Sequence, residues 1–433
     1  MTQVNRLNRA KGYKNSSTTL QNYVQKLRSV LLFSAISLAI ANPALAIRFQ
    51  VTKLADTETI MPGEERPFTA FDSASISGSS VVFQGTIGKP TERRYREGIY
   101  LLRDRALSKI VDLKTRTPRF RFAQFASPML SGNNVAFIGI DPMRSFALYT
   151  QFEGKPLTSI VNATTPPANN NPFFWRFGAS VRSRMTPAPI HMDGQNIVFE
   201  GRYGYLGGKV QRVTYDGIGP RINGSRIVTF IPPRPINARG QSSIDRGRIQ
   251  LTIGSAAPTT IVDETTLLPH GKRVSDFGFR RQPNSSTPVI NANTVLFFAN
   301  DSDGEGGLYT RRDAGLRTII RQGTVVPDIG PVQNFGSIGI SGINQAFSVR
   351  EGRTQTALVM RTGGQILKVF KLGDSIDGKT IASFNPLGTQ FLSGRSIVFV
   401  ARFTDGSSGL YRAQAFPENA AEAVAMSRDR EPE

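Results

Sequence analysis

The sequence predicts an all-β chain, and within that class a β-propeller of seven four-stranded blades, its ring closed by the N-terminal strand pairing into the last blade. Three observations lead there. A short pattern, apolar-x-small-x-x-(Val/Ile)-x-apolar, recurs seven times at intervals of about fifty residues, and such a period means stacked or radially arranged units. The 433 residues include 41 Gly and 26 Pro that punctuate short Val/Ile/Phe runs, the grammar of strands and turns. Finally, the two ends of the repeat array complement one another.

In chain order, residues 1–46 read as a secretory signal. Arg6, Arg9, Lys11, Lys14, Lys26 and Arg28 precede an apolar run over residues 30–41, and Ala44-Leu45-Ala46 has the small-x-small form of a cleavage site. A bilayer core takes about 20 apolar residues, so no permanent span is expected. The chain has no Cys, which excludes disulfides and a Cys-linked lipid anchor. Stability must come from the core.

The repeat array is expected over residues 47–412. Clear copies of the pattern centre on Gly78, Gly132, Ala292 and Gly394, close ones on Gly194 and Gly342, and a degraded copy lies at Gly247. Within each unit a Phe and small residues lead into strand a. Strand b carries Val-x-Phe, as in Val81-Val82-Phe83. Strand c carries Gly-Leu/Ile-Tyr, as in Gly98-Ile99-Tyr100, and strand d carries Ile-Val-Asp, as in Ile110-Val111-Asp112. The alternation sets large side chains on one sheet face, and four antiparallel strands per unit is the grain of a propeller blade. A second motif, Asp-x-x-Thr-x-x-Pro, follows strand d at Asp56, Asp112 and Asp263. Asp and Thr initiate turns and Pro ends strands.

The third and fourth units are irregular. Gly207-Gly208-Lys209-Val210 is expected to serve as strand c of the third unit and Arg226-Ile227-Val228 as its strand d. At the ends, residues 48–56 form a lone d strand, while the last unit stops after Gly409-Leu410-Tyr411. The missing last strand is therefore present at the front, and pairing the two would remove exposed sheet edges. Residues 413–433 are expected to be a disordered tail.

The repeated Gly-x-x-Val-x-Phe strand, best seen in Gly132-Asn133-Asn134-Val135-Ala136-Phe137, together with the Gly-Leu/Ile-Tyr strand and the Thr-x-x-Pro loop, resembles a family of exported bacterial tandem-repeat proteins. That family is known by an Asn-x-x-Gly-x-x-Ala-Phe repeat and by interchangeable C-terminal anchors. The resemblance covers residues 51–412 and implies no assigned reaction. This chain departs from it in showing no C-terminal apolar anchor.

The formal charge is +21, or +15 without the six basic residues of the leader, and Arg outnumbers Lys by 40 to 13. Arg forms bidentate pairs with carboxylate, sulfate or phosphate. The functional reading is attraction to an anionic polymer; the competing one is a solvated surface. Arg93, Arg94 and Arg96, and then Arg280 and Arg281, form local clusters that could bind such a ligand. Trp175 could stack on a sugar, although aromatics recur at that point as core.

Asp301, Asp303 and Glu305 have oxygen spacing that could wrap Ca²⁺; the matching stretch at Thr404-Asp405-Gly406 favours a plain tight turn. No other cofactor is expected. His191 reads as a strand residue and His270 as a loop residue, too far apart and too few for a triad or a His-based metal site. Asp72 and Glu200 are the carboxylates nearest a propeller axis, and neither recurs as a pair.

These features predict a secreted or periplasmic, non-enzymatic monomer that binds or scaffolds through its loops. Its expected partner is an anionic polysaccharide or an envelope protein, and export argues against nucleic acid. The alternatives are an extracellular carbohydrate-active hydrolase or lyase using carboxylates at the channel mouth, and an architectural ring that docks partner proteins.

Overall fold

A computed structural model describes residues 47–92, 95–117, 121–142, 146–161, 190–199, 203–213, 218–232, 247–278, 287–313, 315–386 and 390–417. Every regular element among them is a strand, and no helix among them is long and apolar enough to cross a membrane.

Apart from a two-stranded hairpin of Val325–Val326 with Gly330–Pro331, the described strands form seven antiparallel sheets, the blades, with strands lettered a to d outward from the axis. In blade 1 they are Ala70–Ser77, Ser80–Ile87, Arg96–Arg103 and Ala106–Asp112. Blade 2 has Gln124–Ser131, Asn134–Ile140, Phe146–Gln151 and Thr158–Val161. Blade 3 has Ile190–Asp193, Asn196–Phe199, Tyr203–Leu206 and Lys209–Arg212. Blade 4 has Ile218–Asn223, Arg226–Ile231, Arg248–Ile253 and Thr259–Val262.

Blade 5 opens with a strand a in two pieces, Val274–Asp276 and Val289–Asn291, followed by Thr294–Asp301, Gly306–Arg312 and Gly315–Arg321. Blade 6 has Asn334–Ser341, Asn344–Glu351, Thr354–Thr362 and Gln365–Lys371. Blade 7 again has a divided strand a, Lys379–Asn385 and Leu392–Ser393, then Ser396–Phe403 and Ser408–Pro417. Its fourth strand is the N-terminal Ile47–Asp56, so the front of the array completes the last blade. The expected closure is the one found. Strand c of blade 7 runs on to Pro417, beyond the expected limit at residue 412.

The irregular third and fourth units are corrected. Strand c of blade 3 is Tyr203–Leu206, and Gly207-Gly208 is the c–d turn. Arg226–Ile231 is strand b of blade 4, not strand d of blade 3, and its a–b turn lies at Gly224. Gly247 immediately precedes strand c of that blade instead of marking a repeat. The true fourth copy is Ile222-Asn-Gly224-Ser-Arg-Ile227-Val-Thr229-Phe230. Its Phe falls one position late, and Thr229 occupies the usual Phe position.

With that correction the recurring small residue has one physical role. Gly78, Gly132, Gly194, Gly224, Ala292, Gly342 and Gly394 each occupy the first loop position of a two-residue a–b hairpin, with φ between 50° and 60°. A left-handed residue there is the mark of a type II′ turn, which suits the twist of paired strands and favours Gly. The residue just before each one reaches the next blade. Ser77 Oγ accepts from the Gly132 N–H, Ser131 Oγ from Gly194, Asp193 Oδ2 from Gly224 and Asn223 Oδ1 from Ala292. Asn291 Oδ1 then accepts from Gly342, Ser341 Oγ from Gly394 and Ser393 Oγ from Gly78. The seven bonds, 2.5–2.9 Å long, close a circle around one end of the channel. Each strand a also touches strand a of the next blade, all the way round.

The core lies between blades and is aromatic. The strand b Phe and the strand c Tyr are direct cross-strand partners in four blades: Phe83/Tyr100, Phe137/Tyr149, Phe297/Tyr309 and Phe399/Tyr411. Their ring centroids lie 5.6–5.9 Å apart, within the favourable range for aromatic pairs. The Gly of Gly-x-Tyr is there because the Tyr ring folds back over it: a Cβ on Gly307 would sit 2.6 Å from the Tyr309 hydroxyl.

The Asp-x-x-Thr motif closes the outer end of strand d. Thr59, Thr115 and Thr266 donate to the carboxylates of Asp56, Asp112 and Asp263 at 2.8, 2.7 and 3.2 Å. In return each Thr Oγ1 accepts the backbone N–H of its Asp.

Candidate functional site

The channel end opposite the hairpin circle carries a polar cavity of about 520 Å³ over blades 6, 7 and 1. Its lining comes from the first halves of three a strands, Phe71 and Asp72, Gly336 and Ser337, and Ser383, Phe384 and Asn385. Strands b and c add Arg350, Gln355, Val400 and Arg402. The placement has a local cause. Strand a is bulged in blades 1 and 6, between Phe71 and Ala74 and between Phe335 and Ile338. In blade 7 it is interrupted after Asn385. A bulge breaks the in/out alternation and re-aims the side chains it carries. The bulges are Asp72-Ser73 and Gly336-Ser337, at the small residues that follow the leading Phe in the sequence.

Gly336 also makes room for the arginine. A Cβ there would lie 2.2 Å from Ser348 Oγ and 3.1 Å from Arg350 Cδ. Ser348 Oγ in turn accepts the Ser337 N–H at 3.0 Å. Arg350 Nη2 is steadied by the Arg353 carbonyl at 2.9 Å. Arg402 is exposed in the mouth and acts on Asp72 through its charge. Partial enclosure of Asp72 pushes its carboxyl above the usual carboxylate range, and the Arg402 charge offsets part of that.

Behind Asp72 lies a second acid, Glu97, which is 2% exposed. Its Oε1 accepts from the Phe125 N–H at 2.7 Å and from Gln84 Nε2 at 2.9 Å, and its Oε2 accepts from the Tyr95 hydroxyl. Ser73 extends the chain by donating to Gln84 Oε1 at 3.2 Å. Burial raises the Glu97 carboxyl, the Tyr95 and Phe125 hydrogen bonds oppose that, and the Asp72 charge adds to it. With both oxygens engaged, Glu97 ties blade 1 to blade 2 and does not line the cavity. The mouth thus combines two guanidinium groups with hydroxyls and amides and a single carboxylate, Asp72, a set that can hold a ligand with carboxylate and hydroxyl groups.

Most residues singled out in the sequence lie elsewhere. Arg93, Arg94, Trp175, Glu200, Arg280 and Arg281 fall outside the described residues. Arg96 begins strand c of blade 1, where its Nε is 3.6 Å from Glu64 Oε1 and its Nη1 donates to the Tyr95 carbonyl at 2.8 Å. Asp301 is 1% exposed; one of its oxygens accepts the Asp303 and Glu305 N–H groups, and the other accepts His270 Nε2 and Arg321 Nη2. Asp303 pairs with Lys272 and Glu305 with Arg321. These acids form an ion-pair network around a tight turn. Among the described residues no group of three His, Cys, Asp or Glu is set to hold a metal ion. Asp72 was the one mouth residue visible beforehand. Arg350, Arg402, Gln355 and Asn385 were missed, and the bulge residues next to the leading Phe were the available signal.

No protein-family model matches the sequence, and no curated protein matches it. Solved structures do. The β-propeller domain of the Trilobed protease from Pyrococcus furiosus superposes with a TM-score of 0.50 at 12% identity, covering 80% of this chain and 95% of that one. Pyrococcus horikoshii acylaminoacyl peptidase gives 0.48 at 10% identity, covering 80% of this chain and 51% of that one. The N-terminal domain of Nup159 gives 0.41 at 11% identity, covering 85% and 96%. The fold is a β-propeller. At these identities the likeness extends to the fold alone.

Proposed function

We propose that this propeller is an exported binding protein whose channel mouth holds an acidic, hydroxyl-rich ligand such as a terminal segment of an anionic polysaccharide. The observation that carries the reading is the cavity in which Arg350 and Arg402 converge with Ser337, Gln355, Ser383 and Asn385. Guanidinium groups recognise carboxylate or sulfate, and amides and hydroxyls match sugar hydroxyls. The basic mature chain would draw such a polymer toward the mouth. Glu97, anchored by three donors, favours binding over hydrolysis by a carboxylate pair. The leader at residues 1–46 supports export. The Gly132–Phe137 repeat supports placing the chain beside the exported tandem-repeat family it resembles.

Calorimetry with uronic acid oligosaccharides tests this. Binding should weaken sharply from low to physiological salt, where the Debye length is about 8 Å. The exposed Arg402→Gln variant should bind at least about tenfold more weakly, equivalent to about 1.4 kcal/mol. Salt-insensitive binding, or full affinity in Arg402→Gln, would sink the proposal.

A further inference from the structure

The hairpin end of the channel holds a buried cation that has no partner among the described residues. Arg221, on strand a of blade 4, is 5% exposed. Its Nε and Nη1 are buried without a hydrogen-bond acceptor, and it makes no ion pair with a described residue. Burial alone lowers its guanidinium, to about 10, with no carboxylate acting on it. A buried charge is tolerated when it is paired and hydrogen-bonded, and is strongly unfavourable otherwise.

The neighbouring blade presents a second donor. Arg221 stands three residues before the turn Gly224. The same position in blade 3 is His191, and in blade 1 it is Ser75. At this level the side chain again reaches the next blade: Ser75 Oγ accepts the Leu130 N–H at 3.1 Å, and His191 Nδ1 accepts the Ile222 N–H at 3.2 Å. An imidazole accepting at Nδ1 carries its proton on Nε2. Burial, followed by the Arg221 charge, holds His191 well below the usual imidazole range, so the ring is neutral. Its Nε2–H meets no described protein acceptor. The imidazole is bonded to the backbone of the residue that follows Arg221, and the Arg221 charge acts on it, so the two side chains are neighbours on adjacent inner strands.

We propose that Arg221 and His191 together form an internal site for a small monovalent anion of halide size, seated in the channel beneath the hairpin circle. The ion supplies the charge that Arg221 lacks and accepts the His191 Nε2–H. Its role is to fix blades 3 and 4 together, independently of whatever the mouth cavity holds.

Bromide is the probe. At constant ionic strength, balanced with gluconate, raising bromide to about a hundred times its dissociation constant should raise Tm by about 2–4 °C. The Arg221→Met variant should fold, because Met129 occupies the same position in blade 2, and its Tm should not respond to bromide. Crystals of the wild-type protein grown with bromide should show an anomalous peak within hydrogen-bond reach of the Arg221 guanidinium. Bromide at surface arginines only, or an equal Tm rise in Arg221→Met, overturns the site. Should the variant not fold, the wild-type anomalous map decides alone.

Discussion

At the scale of single residues, stability is legible at the buried rings and at the Asp-x-x-Thr carboxylates. Phe137 is completely buried and stacks on Tyr149. Phe137→Ala should cost about 3–5 kcal/mol through lost transfer energy and the cavity left behind, read as a lower urea midpoint at unchanged slope. Asp112 illustrates the carboxylates. Burial would raise its carboxyl, but the Lys109 and Thr115 hydrogen bonds outweigh burial and hold it below the usual range. A group depressed in the folded state adds stability that is complete above its unfolded value, about 3.9, and is lost as pH falls through the folded value. Urea unfolding from pH 6 to pH 2.5 should therefore show an acid loss that is smaller in Asp112→Asn. Glu97 carries the opposite sign. It is raised, so its contribution favours the fold at acid pH and declines as pH climbs from the unfolded toward the folded value. These residues were legible because their chemistry is local: Thr115 lies three positions from Asp112, and Phe137 belongs to a repeated strand.

At the scale of elements, the hairpin circle separates hydrogen bonds by their exposure. Ser77 and Ser75 both tie blade 1 to blade 2, through the Gly132 and Leu130 N–H groups. Around Ser77 the turn is open to water, which can replace the hydroxyl. Ser75 is completely buried, so its removal strands a buried donor. Ser77→Ala should cost at most about 0.5–1.5 kcal/mol and Ser75→Ala about 1–3 kcal/mol, measured by paired urea titrations. Equal losses would mean that burial does not govern these bonds. Six of the seven a–b turns were readable as small residues at a fixed spacing. The turn at Gly224 was hidden because Phe230 comes one position late and Thr229 fills the aromatic slot. The bulges were hidden for another reason. Ser73-Ala74 and Gly336-Ser337 read only as small residues suited to an inner strand, since a composition signal does not reveal that alternation breaks at Asp72-Ser73 and at Gly336-Ser337 and turns Asp72 into the mouth.

At the scale of the whole molecule, the mouth cavity exists only because the ring closes. Asp72 and Arg402 are far apart in sequence and meet because blade 7 packs beside blade 1, each held there by contacts between their strands. No pairwise motif could announce that meeting. Only the closure predicted from the two ends of the array could, and it places blades side by side without saying which side chains the bulges release. Ring closure therefore links stability to binding in a testable way. Removing residues 47–56 leaves strand c of blade 7 as an open edge with unpaired N–H and C=O groups, a template for pairing with another chain. It should lower the unfolding midpoint, drive association visible by size-exclusion chromatography, and abolish binding of the acidic oligosaccharide. Adding the missing strand in trans as a peptide should restore both the monomer and the binding, since main-chain pairing supplies most of the affinity in strand addition. Loss of binding that the peptide does not rescue, in a protein that stays monomeric, would mean that the mouth is not held by the closure.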